Sequence, residues 1–230
     1  MTMYSNISST ASLIGDPTRT TILIALADGQ ALTAGELATL SGVSPQTASA
    51  HLAKLVEGSL ISVEVQGRHR YYKLAGPEVA QVMEAIAVVS PPVKVRSLRQ
   101  SSHKKALDYA RTCYDHLAGK LGVALTEALI ELGYLRDLGE FYQLTDKGKQ
   151  WLREFGIHPL PKKVNPEAVP LHIDWTVRKH HLAGPLAISI TQRLIDLGWV
   201  EKGAIRRSIQ LTNLGRSAIG NEFMFDPTTL

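Results

Sequence analysis

The sequence predicts a mainly α chain with small β wings, an α+β architecture in two parts. Three observations predict it. The first sixty residues are a series of capped, amphipathic helical segments. Residues 61–74 then alternate apolar and polar about a Gln66-Gly67 turn, as a hairpin does. The second half carries an internal repeat: HLAG at His116 returns at His181, 65 positions on.

The elements follow in order. Asp16 is placed to cap a helix that opens on Pro17, where a missing N–H costs nothing. Ile22, Leu23 and Leu26 recur at helical spacing, and Gly29 ends the run. Thr33 with Glu36 three residues on reads as a capping box for a short helix with Leu37 and Leu40 inward. A turn at Gly42 leads to Ser44 as the next cap, Pro45 as first helical residue, and Ala48, Leu52 and Leu55 as a buried stripe. Helix, glycine turn and helix make a helix-turn-helix.

The outer face of its second helix carries Gln46, Thr47, Ser49, Ala50, His51 and Lys54, short or polar and without an acid. A helix entering a major groove needs that. Small groups allow close approach, amides and hydroxyls read base edges, and a cation meets phosphate. The hairpin that follows forms a wing with Arg68, His69 and Arg70 at its tip. Thr33 and Ser44, at the helix starts, complete the expected DNA-contacting set.

The stretches DPTRTTIL, ELATLSGVSPQTASAHLAKL and GRHRYYKL resemble the ArsR-type winged-helix repressors, over roughly residues 9–88. The resemblance implies a homodimer on a pseudo-palindromic double-stranded operator, released by an effector. It places Gln46, Thr47, Ser49 and His51 at the groove. Two positions depart from the pattern: Ala50 replaces a basic residue, and Ser59 stands where glycine is usual. The family's usual metal sites are absent. Its E-L-C-x-C stretch is Glu36-Leu37-Ala38-Thr39-Leu40 here, and residues 77–89 hold no histidine. Val79, Val82, Met83 and Ile86 read as a core or dimer seam.

The predicted domain therefore spans residues 1–90. A linker over 91–101 follows, opened by Pro91-Pro92. With the residues just after it, it is basic through Lys94, Arg96, Arg99, Lys104 and Lys105. Such a stretch either skirts the DNA backbone or is a solvated connector.

Residues 102–230 form a C-terminal module of two helix/hairpin repeats, about 102–156 and 171–225. YQLTDKGKQWL from Tyr142 matches IQLTNLGRSAI from Ile209, an offset of 67. Each copy predicts an amphipathic helix ending at Gly133 or Gly198, a strand pair, and a last helix capped by Thr145 or Thr212. Copies of this kind are expected to pack on each other about a pseudo-two-fold axis.

A chemically versatile cluster lies in this half: Cys113, Tyr114, His116, His172, Asp174, Trp175, Arg178 and His181. On a helix Asp174, Arg178 and His181 would share a face, with Asp174 and Arg178 an ion pair and Asp108, Arg111 and Asp115 a comparable row in the first copy. The cluster is a candidate effector pocket, alongside structural use at a repeated junction. It contains neither H-E-x-x-H nor C-x-x-C, so no metal ligand set, catalytic residue or cofactor is assigned. Cys113 beside Arg111 and His116 is either a small buried hydrophobe or a thiol of lowered pKa.

Composition bounds the rest. An apolar share of 44% with 20% charged residues is globular. The net charge of +4 suits nucleic acid without specifying it. A single cysteine excludes an intrachain disulfide. No apolar run is long enough for a membrane span, and no export signal opens the chain, so a cytoplasmic protein is expected. The leading expectation is a non-enzymatic, sequence-specific DNA-binding regulator, a dimeric repressor with an unidentified small-molecule effector. The alternatives are a metal- or thiol-redox-responsive regulator using Cys113 and the C-terminal histidines, and, more remotely, a hydrolytic enzyme at the His/Asp cluster.

Overall fold

The computed structural model describes residues 4–91 and 97–230. They divide into two compact units, residues 1–83 and 84–230, with the boundary inside one helix.

In the first unit, α1 (Ser5–Ile14) and α2 (Pro17–Leu26) meet at a corner built by one arginine. The Asp16 side chain accepts the Arg19 N–H at 2.9 Å and caps α2. The Arg19 guanidinium reaches back to the carbonyls of Leu13 and Ser12, which α1 leaves without helical partners. The sequence reading had missed α1. Next come β1 (Leu32–Thr33), α3 (Ala34–Ser41) and α4 (Pro45–Glu57). Thr33 and Glu36 make the reciprocal capping box, and Ser44 caps α4 by accepting the Thr47 N–H.

The strands β2 (Ile61–Gln66) and β3 (His69–Leu74) pair antiparallel from Ile61↔Leu74 to Gln66↔His69, and β1 adds to the far edge of β3. Ile22, Leu23, Leu26, Leu37, Leu52, Leu55, Ile61 and Leu74 form the core under this sheet. Leu40, expected inward, is exposed, because α3 buries Leu37 and Ala38 instead. The helix α5 (Pro77–Val89) buries Val79, Ala80 and Met83 and leaves Val82, Ile86 and Val89 exposed.

In the second unit, α6 (Leu98–Tyr109) starts where Ser97 accepts the Gln100 N–H. Residues 98–101, expected as linker, are thus its first turn. A capped helix can begin once the chain has left the prolines. Residues 92–96 of that linker lie outside the described residues.

The repeat then unfolds twice as hairpin, helix, hairpin, helix. The first copy is β4 (Arg111–Cys113), β5 (His116–Ala118), α7 (Gly119–Glu131), β6 (Leu135–Asp137), β7 (Tyr142–Leu144) and α8 (Asp146–Glu154). The second is β8 (Leu171–Ile173), β9 (His180–Leu182), α9 (Gly184–Asp196), β10 (Val200–Lys202), β11 (Ile209–Leu211) and α10 (Asn213–Phe223). The glycine of each HLAG takes a positive φ, +80° at Gly119 and +72° at Gly184, where the strand swings into the helix.

The segments carrying the histidines are hairpins, which corrects the helical reading. Asp174, Arg178 and His181 share no helix face. Asp108 lies in α6, Arg111 on β4, and Asp115 in the two-residue turn between β4 and β5.

The copies interlock reciprocally. The Leu117 N–H donates to the Thr191 hydroxyl at 2.9 Å, and the Leu182 N–H donates to the Thr126 hydroxyl at 2.9 Å. Each pair is the other with the copies exchanged. Likewise the Ile209 N–H donates to the Ala110 carbonyl, and the Tyr142 N–H to the Val169 carbonyl. The first hairpin of each copy therefore abuts the second hairpin of the other, and one core runs through both. In it Trp151 stacks on Phe155, Phe223 meets both edge-on, and the half-buried Trp199 packs edge-on against Phe155.

Candidate functional site

Two places concentrate functional side chains. The first is an open groove in the N-terminal unit, between α4 and the β2/β3 wing. Its lining includes Thr33, Ser49, Arg68, His69 and Arg70, with Glu57 and Val63. The fold thus brings the outer face of α4 and the wing tip to one surface. Gln46, Thr47, Ser49, Ala50 and Lys54 are exposed along α4, and Arg68, His69 and Arg70 along the wing.

Some of these groups are already engaged. The Thr33 hydroxyl serves the capping box, and the Ser44 hydroxyl contacts that of Thr47 at 2.9 Å. Ser49 donates to the Pro45 carbonyl. His51 stands apart from the set: it is half-buried, with Nδ1 3.5 Å from the Asp16 carboxylate at the cap of α2.

The second place is the junction of the two repeats. Cys113 on β4 sits opposite His116 on β5, and His172 on β8 sits opposite His181 on β9. Aligning the two HLAG segments makes these the same register positions of the two copies: Cys113 corresponds to His172, and His116 to His181. All four side chains are buried, and their donor atoms lie within 4.8 Å of one another. The two Nε2 atoms of His116 and His181 are 3.2 Å apart, and Cys113 Sγ is 3.9 Å from His172 Nδ1.

Burial keeps the three imidazoles neutral. It pushes His181 down to about 3 and His172 down to about 4. His116 is held well below the usual range by burial and then by the two other histidines. The Nδ1 of His116 faces the Tyr114 carbonyl at 3.4 Å; a carbonyl only accepts, so Nδ1 carries the proton and Nε2 presents a lone pair. Burial, with Glu84 beside it, pushes the Cys113 thiol well up, opposite to the lowered pKa weighed for it from Arg111 and His116.

Beside the cluster lies a buried ion pair. The Arg111 guanidinium donates to Asp174 Oδ2 at 2.8 Å, and Gly119 N–H donates to the same oxygen at 2.7 Å. The other oxygen accepts from the Thr176 N–H and hydroxyl and from the Val177 N–H. Burial opposes ionisation of Asp174, but Arg111, Thr176 and the two backbone donors outweigh it, so its carboxyl stays below the usual range. Trp175 covers the guanidinium carbon, 4.8 Å from the ring centre.

Residues 14–64 match the family model described as a helix-turn-helix domain. Over 217 residues the chain is 42% identical to the HTH-type transcriptional regulator YdfF of Bacillus subtilis, covering 94% of this chain and 96% of that protein. The chain belongs to the HTH-type transcriptional regulators. A second regulator of that type, Rv0324 of Mycobacterium tuberculosis, is 36% identical over 72 residues, 31% of each chain. Among solved structures, the homodimeric winged helix-turn-helix domain Mb0332 of Mycobacterium bovis, a possible ArsR-family regulator, matches with 29% identity. That match covers 38% of this chain and 80% of that one, at a TM-score of 0.36. NolR of Sinorhizobium fredii matches with 25% identity, 38% and 87% coverage, and a TM-score of 0.35.

In this HTH-type regulator the helix-turn-helix lies wholly in the first unit, and the Cys/His cluster lies in the second. Of the eight residues expected as a pocket, Cys113, His116, His172 and His181 converge. Asp174 and Trp175 pack around Arg111. Tyr114 contributes its carbonyl, and Arg178 is exposed, because the loop after β8 turns it away. The expected Asp174–Arg178 pair is replaced by Asp174–Arg111. Arg111, Thr176 and Glu84 are the residues that the pocket reading missed. The hairpin register of the repeat was the signal that would have found Arg111. Among the described residues no helix is long and apolar enough to cross a membrane.

Proposed function

We propose that this regulator is a homodimeric repressor that holds a pseudo-palindromic operator in the cytoplasm and leaves it when an effector binds. The observation that carries the reading is the groove shared by α4 and the wing, with Ser49 and three basic side chains on one lining. Gln46, Thr47 and Ala50 face the bases, since amide and hydroxyl groups pair with base edges and a methyl group meets thymine. Lys54, Arg68 and Arg70 face phosphates, where charge matters and sequence does not. Ser44 and Pro45 open α4 toward the backbone, and the positive end of the helix dipole at that first turn suits a phosphate. His69 joins the wing contact, while His51 braces α4 against Asp16.

The dimer reading is supported by α5, whose Val82, Ile86 and Val89 form one exposed apolar row. Nothing in the geometry calls for turnover, and a regulator without enzymatic activity is the simpler assignment.

Selection of bound fragments from a random duplex pool by the purified protein tests the proposal. The expected product is a sequence with dyad symmetry and half-sites about 10 base pairs apart, or a multiple of that. Recovery of fragments with no common sequence would count against it.

A further inference from the structure

We propose that Cys113, His116, His172 and His181 bind one divalent transition-metal ion of the zinc class, on the pseudo-two-fold axis between the repeats. The proposal is independent of how the first unit contacts DNA.

The donor set comes first. One thiol and three imidazoles suit a borderline ion that prefers nitrogen and sulfur in four-fold coordination. Each hairpin supplies two donors from directly opposed residues, so each half of the set is held by a β-ladder rather than by a loose loop. The halves meet because the copies interlock, and the geometry is therefore fixed by the same contacts that build the core.

Distances agree. A tetrahedral zinc ion with ordinary bond lengths separates two nitrogens by about 3.3 Å and a nitrogen from a sulfur by about 3.5 Å. The His116–His181 separation is 3.2 Å and the Cys113–His172 separation is 3.9 Å. The widest separation in the set, at most 4.8 Å, closes with side-chain rotations of under an ångström per donor.

The bland alternative is a group of polar residues filling a core. It is a costly filling. Imidazoles and a thiol in the interior lose water, whereas aliphatic side chains would have packed the same axis without that cost. An ion would engage one donor atom of each of the four at once.

Charge and surroundings also fit. On binding, the Cys113 S–H bond breaks as the sulfur–metal bond forms, and the proton leaves to solvent. The dication then meets one thiolate, with the buried acidic side chain of Glu84 beside it. His116 Nδ1 already faces a carbonyl, as a ligating histidine's outer nitrogen usually does. The Asp174–Arg111 pair ties the loop after β8 to β4 and holds the two ligand-bearing hairpins together. A bound ion would cross-link the repeats at their axis.

The test uses the full-length protein, purified without chelator and kept reduced with a non-chelating phosphine. Elemental analysis is expected to find about one zinc per chain. Exchange into cobalt(II) is expected to give intense visible bands of four-coordination and a near-ultraviolet thiolate-to-cobalt band. Cys113→Ser should abolish the near-ultraviolet band, and His181→Ala should release most of the metal. His172→Cys keeps four donors, so it should retain the metal and roughly double the near-ultraviolet band. Its success separates lost ligation from lost folding. A wild-type chain, folded by circular dichroism, that takes up neither zinc nor cobalt at equimolar supply would overturn the proposal. So would a His172→Cys protein that binds cobalt with an unchanged thiolate band.

Discussion

Ser59 sits at φ 57°, in the left-handed region, immediately after α4. A Cβ makes that conformation costly, and glycine is free of the cost. Ser59→Gly should therefore raise stability by about 1 kcal/mol, seen as a higher urea midpoint at unchanged slope. Asp174 is the opposite case, a buried charge with every acceptor site used. Asp174→Ala leaves the Arg111 guanidinium buried and unpaired. The expected cost is about 3–5 kcal/mol, and pairing it with Arg111→Met should recover much of that loss in a double-mutant cycle. Tyr142 gives a pH signature. Burial, and then the charges of Asp137 and Glu127, push its phenol up to about 12. The folded state then holds the proton more tightly than the unfolded state does. The contribution is complete below pH about 10, and it is lost as pH climbs from about 10 to about 12. Alkaline denaturation curves should show roughly 2 kcal/mol less of that loss in Tyr142→Phe. Equal alkaline limbs for the two proteins would refute the assignment.

At the level of elements, the repeat explains its own glycines. In each copy a threonine caps the last helix and also donates back to the preceding turn: Thr145 to the Gly133 carbonyl, Thr212 to the Gly198 carbonyl. The glycine three residues on then lies against backbone. A Cβ on Gly215 would stand 1.8 Å from the Trp199 carbonyl oxygen, and one on Gly148 would stand 2.2 Å from that of Tyr134. Gly215→Ala should cost about 3 kcal/mol, measured by denaturant unfolding. These helices and caps were legible in the sequence because their signals are local: a capping residue, a helical period, a terminal glycine. The ligand-bearing hairpins were not. Strands of three residues give too little alternation to identify. The turn between β4 and β5 takes positive φ at Tyr114 and Asp115, where no glycine marks it. Asp174, Arg178 and His181 happen to fall at helical spacing, so the period suggested a helix that the chain does not form. The proposed DNA-contacting residues could be grouped from the sequence, since they lie on one helix and one wing. The four-donor cluster joins residues 56 to 68 positions apart across the repeat, and spacing motifs cannot register a set assembled by symmetry.

Over the whole molecule, charge is divided unevenly between the parts. Residues 1–83 hold five Lys and Arg against six Asp and Glu, so the unit that carries the helix-turn-helix has no basic excess of its own. The basic excess belongs to residues 84–230. Lys94, Arg96, Arg99, Lys104 and Lys105 are its densest run, with no acid among them. Specific contacts and general attraction to a polyanion should therefore respond to different substitutions. In the proposed dimer, Arg68→Ala with Arg70→Ala would remove four phosphate contacts, and the slope of log affinity against log salt should fall by about 4. Sequence preference should survive, because Gln46 and Thr47 are untouched. Substituting Lys94, Arg96 and Arg99 by alanine should weaken operator and unrelated duplex by the same factor. The ratio between the two affinities would then stay constant across salt. Titrations of both duplexes at several salt concentrations distinguish this from the alternative. If the triple variant binds unrelated DNA as tightly as the wild type, with the same slope, the basic stretch is a solvated connector. The long-range attraction must then arise elsewhere in residues 84–230.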